Sequence, residues 1–95
     1  MQVNDILVSK WGFDQTNVDF YLVVGATGSF VTVMELDSIV IETKADYTGL
    51  AVPSESIING TKMRRKVNGL GHIKMTDYAY AEKWDGMPQS FSTYA

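Results

Sequence analysis

Ninety-five residues, 45% hydrophobic and 20% charged, describe one ordered domain spanning residues 1–95 with a single modest core. The absence of cysteine excludes disulfides, thiolate metal sites and cysteine nucleophiles, and no apolar run nears the roughly eighteen residues a membrane helix needs. The net charge of −3 is unevenly spread: residues 1–61 carry eight carboxylates against two lysines, residues 62–95 six cations against three carboxylates. One acidic and one basic face are therefore expected.

Val3 to Val8 reads as a first strand, closed by Trp11. The stretch from Ser9 to Tyr21 then crowds Trp11, Phe13, Phe20 and Tyr21 together with Asp14, Gln15, Asn17 and Asp19, more specific chemistry than a connecting turn requires. Beyond it Val18, Phe20, Leu22 and Val24 alternate with Asp19, Tyr21 and Val23, a period of two with an apolar inner face. Gly25-Ala26-Thr27-Gly28 supplies a turn, and Phe30, Thr32, Met34 and Leu36 resume the alternation, which predicts a β-hairpin. Asp37-Ser38 interrupts the pattern, and Ile39 to Thr43 continues it across a bulge or bend.

From Lys44 to Ser56 the signals weaken. Turn residues and Pro53, which has no amide hydrogen to offer a central strand, predict a loop with a short extended piece over Leu50 to Val52. Asn59-Gly60 and Asn68-Gly69 favour the positive φ angles of tight turns, with a strand between them over Thr61 to Val67 and another over His72 to Met75. Thr76-Asp77 would cap a short helix running to Lys83, with Tyr78, Ala81 and Glu82 at helical spacing. Asp85-Gly86-Met87-Pro88 is a turn, and Gln89 to Tyr94 a final extended segment. The fold class that follows is mainly β: a small, strongly bent antiparallel sheet or partly open barrel of five to six strands with at most one short helix.

Catalytic machinery is sparse. His72 is the only histidine, without a second histidine or a cysteine to complete a metal site or a nucleophile–base pair. Asp14 and Asp19 flank the loop as a carboxylate pair, but solvated loop residues are the plainer reading. Gly25 to Gly28 lacks the lysine and the following helix of a phosphate-cradling loop. No enzymatic activity, cofactor, metal, small-molecule substrate or membrane contact is expected, and without a secretory leader the chain is expected to stay in the cytoplasm.

Two features are suited to binding. Lys62, Arg64, Arg65 and Lys66, with Lys74 across a hairpin, form a basic run. On a strand Lys62, Arg64 and Lys66 share one face and Arg65 the other. With the aromatics Tyr78, Tyr80, Trp84, Phe91 and Tyr94 downstream, the run fits single-stranded nucleic acid, or else it protects an edge strand while the aromatics fill the core. The loop residues Trp11, Phe13, Asp14 and Asp19 either anchor one end of the sheet or form a recognition surface for a partner.

Trp11-Gly12-Phe13-Asp14-Gln15-Thr16-Asn17-Val18-Asp19-Phe20-Tyr21, followed in order by Arg64-Arg65-Lys66-Val67, Ile73-Lys74, Tyr78-Ala79, Trp84-Asp85-Gly86-Met87-Pro88 and Tyr94, resembles the small uncharacterised proteins of phages, prophages and other mobile elements. The resemblance covers most of the chain and departs at Phe13, where a tyrosine is usual, and from Asp37 to Ser56. It implies an accessory protein expressed in the cytoplasm of a bacterial host, with no established activity to carry over. Small proteins of that origin often bind host machinery, anti-CRISPR inhibitors among them. The leading expectation is accordingly a non-catalytic inhibitor of a host protein or nucleoprotein complex, such as a defence nuclease. The alternative is a small β-barrel that binds single-stranded nucleic acid.

Overall fold

The computed structural model describes residues 1–44, 46–58 and 60–93. Within them the chain forms eight strands and no helix: β1 (Ile6–Trp11), β2 (Asn17–Thr27), β3 (Phe30–Thr43), β4 (Thr48–Ile57), β5 (Met63–Lys66), β6 (Ile73–Thr76), β7 (Ala79–Lys83) and β8 (Gln89–Ser92). All pair antiparallel in the order β6-β7-β1-β2-β3-β4-β8, and β5 joins the free edge of the first half of β3. The mainly β class holds, with more strands than the five to six expected.

β3 organises this arrangement through its length. Along one edge it pairs with β2; along the other its first residues, Phe30 to Val33, pair with β5 and its last, Leu36 to Thr43, with β4. The bridge from Val67 to Ile73 brings the end of β5 to the start of β6. The ribbon β5-β3-β2-β1-β7-β6 therefore curls back on itself and is joined at that seam by one bridge. β4 and β8 continue the sheet beyond the curl, so the molecule is elongated, 45 × 26 × 23 Å.

Two apolar clusters result, one on each side of β1, β2 and β3. Inside the curl lie Leu7, Tyr21, Val23, Val31, Val33, Ile73, Met75, Ala79 and Ala81, with Met63 and Val67 of the β5 segment against them. On the outer side Val8, Phe20, Leu36 and Ala51 pack with Val18, Leu22, Trp84 and Phe91. The expectation of one apolar inner face on β2 is corrected: Val18, Phe20 and Leu22 serve the outer cluster, and Tyr21 and Val23 the inner one. Trp84 stands edge-on to Phe20 at 6.1 Å and donates its indole hydrogen to the Met87 carbonyl at 2.7 Å. The turn 85–88 thereby holds the outer cluster closed.

Other local expectations change for physical reasons. The segment from Thr76 to Lys83 is not a helix but the turn and second strand of the β6–β7 hairpin, because Ala79 and Ala81 alternate into the inner cluster. Burial at period two thus outweighs a helix of one or two turns that nothing would nucleate. The segment from Lys44 to Ser56 is mostly strand: β4 finds β3 on one side and β8, over Thr48 to Ala51, on the other. Pro53 falls beyond the last residue paired with β8, where a missing donor on that side is tolerated.

The hairpin between β2 and β3 turns at Gly28 and Ser29, and Gly25 instead marks a register shift within the pair. At Asp37-Ser38 the β3–β4 ladder does shift register, as the interrupted pattern predicts. Val3 and Asn4 lie in a turn before β1, with Asn4 at φ 77°. In the loop from Asn68 to His72 the positive φ falls on Gly71 (77°) rather than Gly69. There the Asn68 carboxamide oxygen accepts from the Leu70 and His72 amides at 2.9 and 3.1 Å. Asn59 and Tyr94 lie outside the described residues, and with them the Asn59-Gly60 turn and the end of the last extended segment.

If burial on both faces of the central ribbon holds the fold, Phe20→Ala, at a position with 0% exposure, lowers unfolding free energy by about 3–5 kcal/mol. Phe13→Ala, at a fully exposed position, shifts it by less than about 0.5 kcal/mol. Urea denaturation followed by circular dichroism compares the two.

Candidate functional site

The β1–β2 hairpin ends in the loop from Gly12 to Thr16, and its flanks register Trp11 with Asn17 and Ser9 with Asp19. Trp11 donates its indole hydrogen to the Asp19 carboxylate at 2.6 Å, and its ring lies 5.3 Å from that of Tyr78 in the β6–β7 turn. Asn17 donates to the Trp11 carbonyl at 3.3 Å and accepts from the Gln15 carboxamide at 3.1 Å. The Thr16 amide donates to the Ser92 hydroxyl at 2.8 Å, and the Ser92 amide returns a bond to the Thr16 carbonyl at 3.1 Å.

Gly12 makes this course sterically feasible. Its φ is +128°, and a Cβ there would sit 2.0 Å from the Gln15 carbonyl oxygen. The loop is thus tied to β1, β2 and β8 at several points, while Phe13 projects fully into solvent with exposed Asp14 beside it. Of the four loop residues singled out from sequence, Trp11 and Asp19 are joined as anchors, and Phe13 and Asp14 stand free at the tip. A shallow cleft of about 180 Å³ opens below, lined in part by Thr16, Val18, Val40, Phe91 and Thr93.

Behind Trp11 the inner side of the ribbon turns acidic. Burial pushes the Tyr21 phenol from its ordinary value near 10 up to about 12, with the Asp19 and Glu35 carboxylates adding to the rise and Arg65 opposing it. Burial, then Asp19 and Asp37, also raises Glu35 above the usual carboxylate range.

The basic run divides as strand geometry predicts. Lys62, Arg64 and Lys66 are exposed, whereas Arg65 is half-buried on the inner side with Met63 and Val67, its Nε donating to the Lys74 carbonyl at 3.1 Å. Arg64 lies over the Phe30 ring, 3.8 Å from its centroid. Lys74 is the cross-strand partner of Tyr80 and makes a 3.2 Å ion pair with Asp77. Both of those charged side chains are exposed, so the pair contributes little to stability.

His72 pairs with Glu82 at 3.0 Å beside a cleft of about 200 Å³ lined by Val8, Lys10, His72, Tyr80, Glu82 and Gln89. The aromatics read from sequence divide as well: Trp84 and Phe91 pack in the outer cluster, while Tyr78 and Tyr80 are exposed. Phe30 and Lys10 are not singled out for binding from sequence, because only cross-strand register sets Phe30 against Lys66 and Lys10 beside Tyr80.

Among the described residues no group of three or more metal-ligating side chains converges, and no helix is long and apolar enough to cross a membrane. Comparison of the chain with protein-family models, with curated proteins and with solved structures gives no match.

The Tyr21 environment predicts an alkaline transition. Its folded-state pKa lies above its unfolded value, so the stabilisation from the protonated phenol is complete below about pH 10 and is lost as pH rises through about 12. Tyr21→Phe removes that part of the pH dependence. Urea midpoints of both proteins, measured across this window, are expected to diverge as pH rises, the wild type losing stability that Tyr21→Phe keeps.

Proposed function

We propose that the protein is a non-catalytic binding module of phage or mobile-element origin, acting in the bacterial cytoplasm on a host protein or nucleoprotein complex. The tip of the β1–β2 hairpin is its recognition element. The observation that carries this reading is the contrast within one loop. Trp11, Gln15, Thr16 and Asn17 are held by hydrogen bonds, while Phe13 is given wholly to solvent.

An exposed phenyl ring on a floppy loop would lose most of its binding free energy to ordering. On a loop already tied to three strands that cost is largely met in the free protein, the condition under which a single aromatic becomes a dominant contact. Asp14 next to it, with the acidic balance of residues 1–61, favours a partner whose apolar pocket is rimmed by basic residues. A nuclease channel that handles nucleic acid has such a rim, so inhibition by occupying it is the expected mode of action. The resemblance of the Trp11–Tyr21 signature to phage accessory proteins points the same way.

The test starts from immobilised protein and host lysate, and continues with the purified partner. Phe13→Ala is expected to weaken binding by at least about thirtyfold, the equivalent of about 2 kcal/mol, at unchanged stability. Gly12→Ala, which distorts the loop without touching the tip, is expected to weaken it as well. Equal capture by wild type and Phe13→Ala defeats the proposal.

A further inference from the structure

The register of four strand pairings lays a second, independent surface across the outside of the curl. Phe30 on β3 is the cross-strand partner of Lys66 on β5. One residue along each strand from the Val67–Ile73 bridge come Lys66 and Lys74. Lys74 on β6 is the partner of Tyr80 on β7. Two residues beyond the Val8–Glu82 pair, on β1, Lys10 reaches the cleft that Tyr80 also lines.

One transverse row thus runs Phe30, Lys66, Lys74, Tyr80, Lys10, with Arg64 stacked on Phe30. At about 4.8 Å between neighbouring strands it spans roughly 19 Å. Strand alternation turns all five outward: Lys66, Lys74 and Lys10 are exposed, Tyr80 is 50% exposed and Phe30 is partly so.

This row is costly for a surface that does nothing. Like charges side by side on neighbouring strands repel, and among the described residues no ion pair neutralises Arg64 or Lys66. Of the carboxylates close by, Asp77 offsets only Lys74, in an exposed 3.2 Å ion pair, and Glu82 is engaged with His72. A polyanion would relieve the repulsion. Phe30 with its Arg64 guanidinium at one end, and Tyr80 towards the other, offer flat faces about three strands apart, with two ammonium groups between them.

We infer that this row binds single-stranded nucleic acid, with two bases stacked on Phe30–Arg64 and on Tyr80 and the intervening phosphates over Lys66 and Lys74. A duplex keeps its base faces stacked inside and could use only the cations, so the aromatic ends of the row select a single strand. The surface is separate from the Phe13 hairpin tip and does not depend on it.

Fluorescence anisotropy with short labelled oligothymidylate, oligouridylate and a duplex of equal length tests the inference. Micromolar binding of at least one of the single strands is expected at about 50 mM salt, tighter than that of the duplex. The slope of log K against log salt is expected near −2 if three phosphates are neutralised at about −0.7 each. Tyr80→Ala is expected to weaken binding about tenfold and Tyr80→Phe to preserve it. The double variant Lys66→Ala, Lys74→Ala is expected to flatten the slope by about 1.4, and Phe13→Ala to leave binding unchanged. The inference falls if neither single strand binds at low salt, if the duplex binds as tightly, or if the Tyr80 and lysine variants, folded by circular dichroism, bind like wild type.

Discussion

Burial of the β1–β2–β3 ribbon on both faces is the constraint on which the rest of this structure depends. Neighbouring residues such as Leu7 and Val8, or Phe20 and Tyr21, point to opposite sides and are all buried. A chain of this length has little apolar material to spend on two surfaces, and it meets the demand by folding the sheet around itself. The curl formed with β5, β6 and β7 covers one side, and Ala51, Trp84 and Phe91 cover the other. β3 must be long because it serves both halves: a fourteen-residue strand is paired to β2 over its first half, Phe30 to Leu36, and shared between β5 and β4 on its far edge.

Both candidate surfaces are consequences of that folding. The hairpin loop closes the end of the doubly buried ribbon, so Trp11 and Asp19 are drawn into anchoring and only the outermost residues, Phe13 and Asp14, are left to face solvent. Curling β5, β6 and β7 over the inner cluster commits Met63, Arg65 and Val67 to the inside and turns Arg64 and Lys66 outward. The acidity of residues 1–61 and the basicity of residues 62–95 then become spatial, since Asp19, Glu35 and Asp37 lie together on β2 and β3 while the exposed cations gather on β5 and β6. The raised pKa values of Tyr21 and Glu35 follow first from burial in the ribbon and then from the carboxylates gathered beside them.

Much of the sheet was legible wherever alternation was strong. The stretch from Val18 to Leu36 announces a hairpin, and the break at Asp37-Ser38 announces the irregularity found there. Legibility failed where the period was short or the deciding partner distant. Ala79 and Ala81 fit a helix or a strand equally well until Ile73 and Leu7 are seen packing against them. The segment around Pro53 carries a strand-breaking residue and is a strand because β3 offers it an edge. Gly25 and Gly28 both look like turn glycines, and register alone tells the bulge from the turn.

By itself, then, the order of residues determined the β class, the hairpin with its special loop, the division of the basic run into two faces and the imbalance of charge. These are properties of neighbours along a chain, governed by side-chain alternation and turn chemistry. Tertiary structure alone decided that both faces of the central ribbon are buried, that Phe13 stands free while Trp11 is anchored, and that Phe30, Lys66, Lys74, Tyr80 and Lys10 form one row. Each of those depends on which strand lies beside which, and cross-strand register is set by long-range packing that no local stretch of sequence encodes.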